Sequence, residues 1–130
     1  MLTNIKKGEG GPSVSVMSAS SLAEAVQQYL LEHVDRRVTI AELAERFQVS
    51  QTQLKVSFRK FYGLSVYAYA RRAKMEAAAQ LLLDGKISVL EVAGMVGYEN
   101  ASKFAHAFGD VMGMTPTQFR KKNQDNARQG

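Results

Sequence analysis

Residues 39–69 read TIAELAERFQVSQTQLKVSFRKFYGLSVYAY, and the pattern inside this stretch returns over residues 87–122 as ISVLEVAGMVGYENASKFAHAFGDVMGMTPTQFRKK. Thr39, Ile40, Glu42, Leu43, Ala44, Phe47, Leu54, Phe58, Gly63, Ser65 and Tyr69 are echoed in order by Ser88, Val89, Glu91, Val92, Ala93, Val96, Phe104, Phe108, Gly113, Thr115 and Phe119, with one residue inserted at the second turn. Self-similarity of this kind marks one supersecondary unit used twice. In each copy the apolar residues recur at three- and four-residue steps, the period of an amphipathic helix.

Helix boundaries are legible outward from the repeat. A capping box needs a hydroxyl at the N-cap and Glu or Gln three residues later, so that orphan amides at the helix start are satisfied reciprocally. The chain offers five: Ser21 with Glu24, Thr39 with Glu42, Ser50 with Gln53, Ser88 with Glu91, and Thr115 with Gln118, the last with Pro116 at the first helical position. Ser65 and Asn100 read as plain caps, and Gly63, Gly85 and Gly113 stand where helices should stop. Upstream, Leu22, Val26, Tyr29, Leu30 and His33 share one helical face. An all-α fold of seven helices is expected, built as two helix-turn-helix subdomains joined by a long linker helix. Its divisions are a flexible leader or interdomain linker over 1–19, a first module over 20–64, the linker helix over 65–84, a second module over 85–123 and a flexible tail over 124–130.

In a helix-turn-helix the first helix braces the second so that the second's outer face can enter a DNA major groove, which is about 12 Å wide. Ala44 and Ala93 are small enough to let the paired helices approach closely. In the helix after Ser50, Leu54, Phe58 and Phe61 are the expected buried positions, leaving Gln51, Thr52, Lys55, Val56, Arg59 and Lys60 outward. Thr52 and Lys55 suit base edges, lysine pairing best with guanine acceptors, and the Val56 methyls suit a thymine methyl. Arg59 and Lys60 suit phosphates, which supply salt-sensitive affinity rather than sequence choice.

The helix after Asn100 buries Phe104 and Phe108 and presents Ala101, Ser102, Lys103, Ala105 and His106. It is the poorer reader, because Lys103 is its one full positive charge and Gly109 and Asp110 follow where a basic pair would help. Most of the specificity is therefore expected from the first module. The linker helix, with Tyr69, Met75, Ala79 and Leu82 as packing positions, spans roughly 28 Å at about 1.5 Å per residue, against about 34 Å between successive major-groove faces. Arg71, Arg72 and Lys74 near its start read either as phosphate contacts or as a solvated face.

Bulk properties narrow the remaining classes. Seventeen Lys plus Arg against twelve Asp plus Glu give a formal net charge of +5, a bias toward polyanions. With no cysteine in the chain, disulfides, thiolate metal sites and a cysteine nucleophile are excluded, and with only two histidines no metal or cofactor is expected. Glu42 and Glu91 occupy capping positions, so no catalytic residue is expected and the chain is read as a non-enzyme. No apolar run reaches membrane-spanning length or forms a signal peptide, so no membrane association and a cytoplasmic location are expected.

In order and spacing, Val92-Ala93, Gly97-Tyr98, Phe104, Phe108, Gly113, Thr115-Pro116 and Phe119-Arg120 match the signature of the AraC/XylS-type DNA-binding domain, which the chain resembles over about Leu22 to Lys122. The resemblance implies a monomeric domain that reads two adjacent major grooves on one face of double-stranded DNA, often while touching RNA polymerase to activate transcription. By position it places base-reading sites on Thr52, Lys55 and Val56 in the first module and on Ala101, Ser102, Ala105 and His106 in the second. The chain departs from the family in carrying His106 and Gly109 where Arg and then Lys are common, and Ala73 where a second linker-helix Arg is usual. Two other functions compete: a protein-interaction module that keeps the fold with little DNA affinity, and an attachment to a DNA-repair alkyl-transfer enzyme, whose cysteine nucleophile this chain lacks.

Overall fold

The computed structural model describes residues 18–129, and among them are seven α-helices and no strand, the all-α architecture expected from the sequence. They are α1 (Ala19–Glu32), α2 (Ile40–Phe47), α3 (Gln51–Tyr62), α4 (Val66–Leu82), α5 (Val89–Met95), α6 (Ala101–Met112) and α7 (Pro116–Gln129). The leader expected over 1–19 lies outside the described residues up to residue 17. Two compact units form, one running through Glu32 and including Val38–Ala68, the other joining His33–Arg37 to Tyr69 and the rest of the chain. Helix α4 begins in the first unit and continues into the second.

In the first unit α3 packs against α1 and α2, burying Leu22, Val26, Leu30, Leu43, Leu54 and Phe58. The Thr39 and Ser50 hydroxyls accept the amides of Glu42 and Gln53, each at 3.0 Å. The Glu42 carboxylate accepts the Tyr29 hydroxyl at 2.9 Å. The Tyr29 ring meets the edge of Phe47 at 6.4 Å and carries the Arg46 guanidinium 4.5 Å above it.

Two expectations are corrected here. Helix α1 starts at Ala19 rather than after Ser21: Ser18 accepts the Ser21 amide at 3.1 Å and the Leu22 amide at 2.9 Å, which puts Ser21 inside the first turn. Phe61 is not buried but 45% exposed, with the Lys60 ammonium 5.6 Å from its ring. The inward position one turn beyond Phe58 belongs to Tyr62, whose ring lies 4.8 Å from that of Phe58 and whose hydroxyl donates to the Gln27 side-chain carbonyl at 3.1 Å. Ser57, 7% exposed, supplies the remaining inward position.

The second unit closes over Met75, Ala78, Leu82, Val92, Val96, Phe104 and Phe108. Its aromatic rings form a run, with Tyr98 at 5.8 Å from Phe104, Phe104 at 5.8 Å from Phe108 and Phe108 edge-on to Phe119 at 5.6 Å. The capping boxes at Ser88/Glu91 and Thr115/Gln118 are complete in both directions. At Ser88 the amide and then the hydroxyl, both donating to Glu91, hold that carboxyl below the usual glutamate range.

The two helix-turn-helix turns share a device. The amide of Val49 reaches the Ala44 carbonyl at 3.0 Å, and that of Tyr98 reaches the Ala93 carbonyl at 2.8 Å. The residue before each amide is left-handed, Gln48 at φ 56° in one turn and Gly97 at φ 82° in the other. Glutamine is tolerated at the first site, but at Gly97 an added Cβ would stand 2.9 Å from the Asp35 carbonyl oxygen.

Arg120 joins α7 to the end of α4 and the loop beyond it, donating to the carbonyls of Leu82 at 2.9 Å, Asp84 at 3.1 Å and Ile87. Gly63 and Gly113 end α3 and α6 in left-handed geometry as expected. Gly85 does not: α4 stops at Leu82, its last turn closes through the amides of Leu83 and Asp84, and Gly85 is absent from the left-handed positions. Residues 124–129 form the end of α7 where a flexible tail was expected, with residue 130 outside the described residues.

Candidate nucleic-acid interface

The first candidate surface is the outer side of α3. Ser50, extended at φ −71° and ψ 156°, starts the helix at a fixed point, and burial of Leu54, Ser57 and Phe58 fixes its rotation. With those constraints Gln51, Thr52, Lys55, Val56, Arg59 and Lys60 are all exposed. Thr52, Lys55, Val56 and Arg59 follow at steps of three, one and three residues, which places them along one stripe of the helix. Val56 is 62% exposed, so its two methyls face water on a helix whose opposite side is packed. That is an apolar contact point inside a polar, positive strip.

The second surface is the outer side of α6. Asn100 caps it by accepting the Lys103 amide at 3.0 Å, and Phe104, Ala107 and Phe108 turn inward. Ala101, Ser102, Lys103 and His106 are exposed and Ala105 is half-buried, a set of small side chains with one full positive charge. Beside them stands Asp110, whose Oδ2 accepts from Arg71 Nη2 at 3.0 Å and lies 3.4 Å from His106 Nε2. The Arg71 hydrogen bond and then His106 hold the Asp110 carboxyl below the usual aspartate range.

The basic run on α4 is less open than its sequence suggests. Lys74 belongs to neither of the roles expected for it: its ammonium donates to the carbonyls of Val34 at 2.8 Å and Arg36 at 2.6 Å, and so ties the short segment after α1 to α4. Burial, partly opposed by Asp35 and reinforced by Arg36, lowers its pKa. Arg72 is exposed and stands 4.0 Å from Glu76 one turn on. Asp110, read from the sequence only as an acidic residue where a basic one would help, is a charged neighbour of this surface whose partners the sequence did not show. Its four-residue step from His106 was a visible signal, but its pairing with Arg71, 39 residues away, was not.

Among the described residues no three His, Cys, Asp or Glu side chains group as a cation site would need, and no helix is long and apolar enough to cross a membrane.

A family profile described as a helix-turn-helix domain matches residues 43–122. The Msm operon regulatory protein of Streptococcus mutans is 27% identical over 109 residues, covering 84% of this chain and 39% of that protein. This chain thus spans well under two thirds of the length of the curated relatives it matches. Among solved structures, the C-terminal domain of AraT, a response regulator from Geobacillus stearothermophilus, superposes with a TM-score of 0.76 at 30% identity, covering 80% of this chain and 87% of that one. The DNA-binding domain of AdpA, a global transcriptional factor solved in complex with a target DNA, superposes with a TM-score of 0.76 at 25% identity, covering 83% and 97%.

Proposed function

This chain belongs to the AraC/XylS-type helix-turn-helix family and is a DNA-binding unit of transcription regulation, and from that premise we propose that it reads double-stranded DNA with two recognition helices, α3 and α6, in successive major grooves. The modules of this reading are residues 20–64 and 85–123, joined by 65–84. The observation that carries it is the outer strip of α3, where cations, a hydroxyl and an exposed Val56 are held opposite a fully packed face.

Thr52, Lys55 and Val56 meet base edges, with Gln51 beside them, while Arg59 and Lys60 neutralise phosphates. Ala101, Ser102, Ala105 and His106 make the second, weaker set, and Lys103 gives that helix its phosphate contact. The unit acts as a monomer in the bacterial cytoplasm without a cofactor, and RNA polymerase is its second partner.

The test is selection of the chain's preferred sites from random duplexes at low and moderate salt. Recovery of two sequence blocks about one helical turn apart is the expected result. Lys55→Ala should then weaken binding by about 1 to 3 kcal/mol and relax base choice at one position, while Arg59→Ala weakens all sequences alike. Equal losses on selected and random DNA for both variants would refute this division of roles. No retention even at low salt would favour a protein-interaction module instead.

A further inference from the structure

We propose that Asp110 restrains the second recognition helix, gathering the Arg71 guanidinium and the His106 imidazole around one carboxylate so that Arg71 is withheld from the DNA backbone. The inference rests on the DNA-binding reading and adds a residue that sets how strongly α6 engages.

The geometry is specific. Arg71 Nη2 and His106 Nε2 converge on the same oxygen, Asp110 Oδ2, at 3.0 and 3.4 Å. His106 and Asp110 are one turn apart on α6, so the carboxylate lies on the side of the helix that carries His106, the most open of the three side chains at 79% exposure. Arg71 reaches this point from α4 and is 27% exposed.

The charges explain the effect. A guanidinium fits a phosphate through parallel hydrogen bonds, and of the two arginines in the α4 run Arg71 is the one that reaches the outer side of α6, through Asp110. Lys74 is committed to two carbonyls and Arg72 lies beside Glu76. An exposed ion pair is weakly held, and a phosphate can compete for its cation. Moving Arg71 to a phosphate would leave the Asp110 carboxylate with His106 alone beside the phosphates' like charge. Binding through Arg71 is therefore opposed by the same residue that positions it, and Asp110, a carboxylate ionised at neutral pH in any case, is held further below the usual aspartate range by Arg71 and His106.

The experiment is equilibrium binding of the full chain to a selected duplex across a salt series, for the parent, Asp110→Ala, Arg71→Gln and the double variant. Asp110→Ala should bind about five- to tenfold more tightly at low salt, and the slope of log affinity against log salt should steepen by about 0.9, equivalent to one more phosphate contact. The gain should disappear in the double variant, because it acts through Arg71. No gain in Asp110→Ala, or a gain that survives intact in the double variant, overturns the proposal; the second result would make Asp110 a bulk charge only. A parent chain with no salt-sensitive DNA binding overturns the DNA-binding reading and this inference with it, whereas a binding parent with an unresponsive Asp110→Ala removes the inference alone. Circular dichroism melts verify folding, and Asp110→Asn carries the same comparison if the alanine variant unfolds.

Discussion

Replacing Arg120 by methionine keeps an apolar stem of similar length and removes one guanidinium. That group donates to the carbonyls of Leu82 at 2.9 Å, Asp84 at 3.1 Å and Ile87. Leu82 is the last residue of α4, so its carbonyl has no acceptor role within the helix and needs an outside donor. Hydrogen bonds from a charged donor contribute about 1.5 to 3 kcal/mol when fully enclosed. Arg120 is only half-buried, so water replaces part of each bond and about 1 kcal/mol apiece is the better figure, roughly 3 kcal/mol in all. Against a typical domain stability of about 5 to 15 kcal/mol this is a large loss. Urea unfolding followed by far-ultraviolet circular dichroism measures it, with an unchanged m-value showing that native packing is retained. Arg120→Lys keeps the charge but not the planar fork, and should forfeit about half as much. A loss below about 0.5 kcal/mol for Arg120→Met would refute the reasoning, because water would then serve those carbonyls as well as the guanidinium does.

Gly97→Ala combines a left-handed backbone with a Cβ placed 2.9 Å from the Asp35 carbonyl oxygen, and should cost roughly 2 kcal/mol or more. Gly63→Ala, at φ 74° with nothing within 4 Å, should cost only the left-handed term of about 1 kcal/mol; paired thermal melts that rank the two the other way would contradict the close approach. Glu91 and Asp110 both have carboxyls lowered from their ordinary values of 4.5 and 3.8. Their contribution is fully present above those ordinary values and lost as pH falls through the lower folded-state values, so stability should hold down to about pH 5 and decline below it. Glu91→Gln should flatten part of that decline in a pH series of melts, and an unaltered acid profile would show that the Ser88 contacts do not favour the ionised carboxylate.

Much of the architecture is written in residues close together along the chain. The hydroxyls at Thr39, Ser50, Ser88 and Thr115 each satisfy an amide three residues on, and Gly63 and Gly113 end the helices they follow. The outward set on α3 was legible for the same reason: once Leu54 and Phe58 are inward, a period of 3.6 residues leaves Thr52, Lys55, Val56 and Arg59 outside. The same period could not choose between Phe61 and Tyr62, which lie three and four residues beyond Phe58. Tyr62 won because its hydroxyl finds Gln27, 35 residues earlier, while Phe61 was left at the surface. The start of α1 was misplaced because Ser18 and Ser21 are equally good caps by type.

The sequence by itself determined the elements, their duplication and the face of each recognition helix, because caps, stops and helical period depend on neighbours a few residues away. It also showed which side chains are charged. Tertiary structure decided which of those charges already have partners. Lys74 is bound to carbonyls 38 and 40 residues back, Arg120 to carbonyls 33 to 38 residues back, and Arg71 to Asp110 39 residues on. The sequence does not say which acceptor a cation will meet until folding brings one within about 3 Å, and that proximity is a property of the packed helices, not of any local stretch of chain.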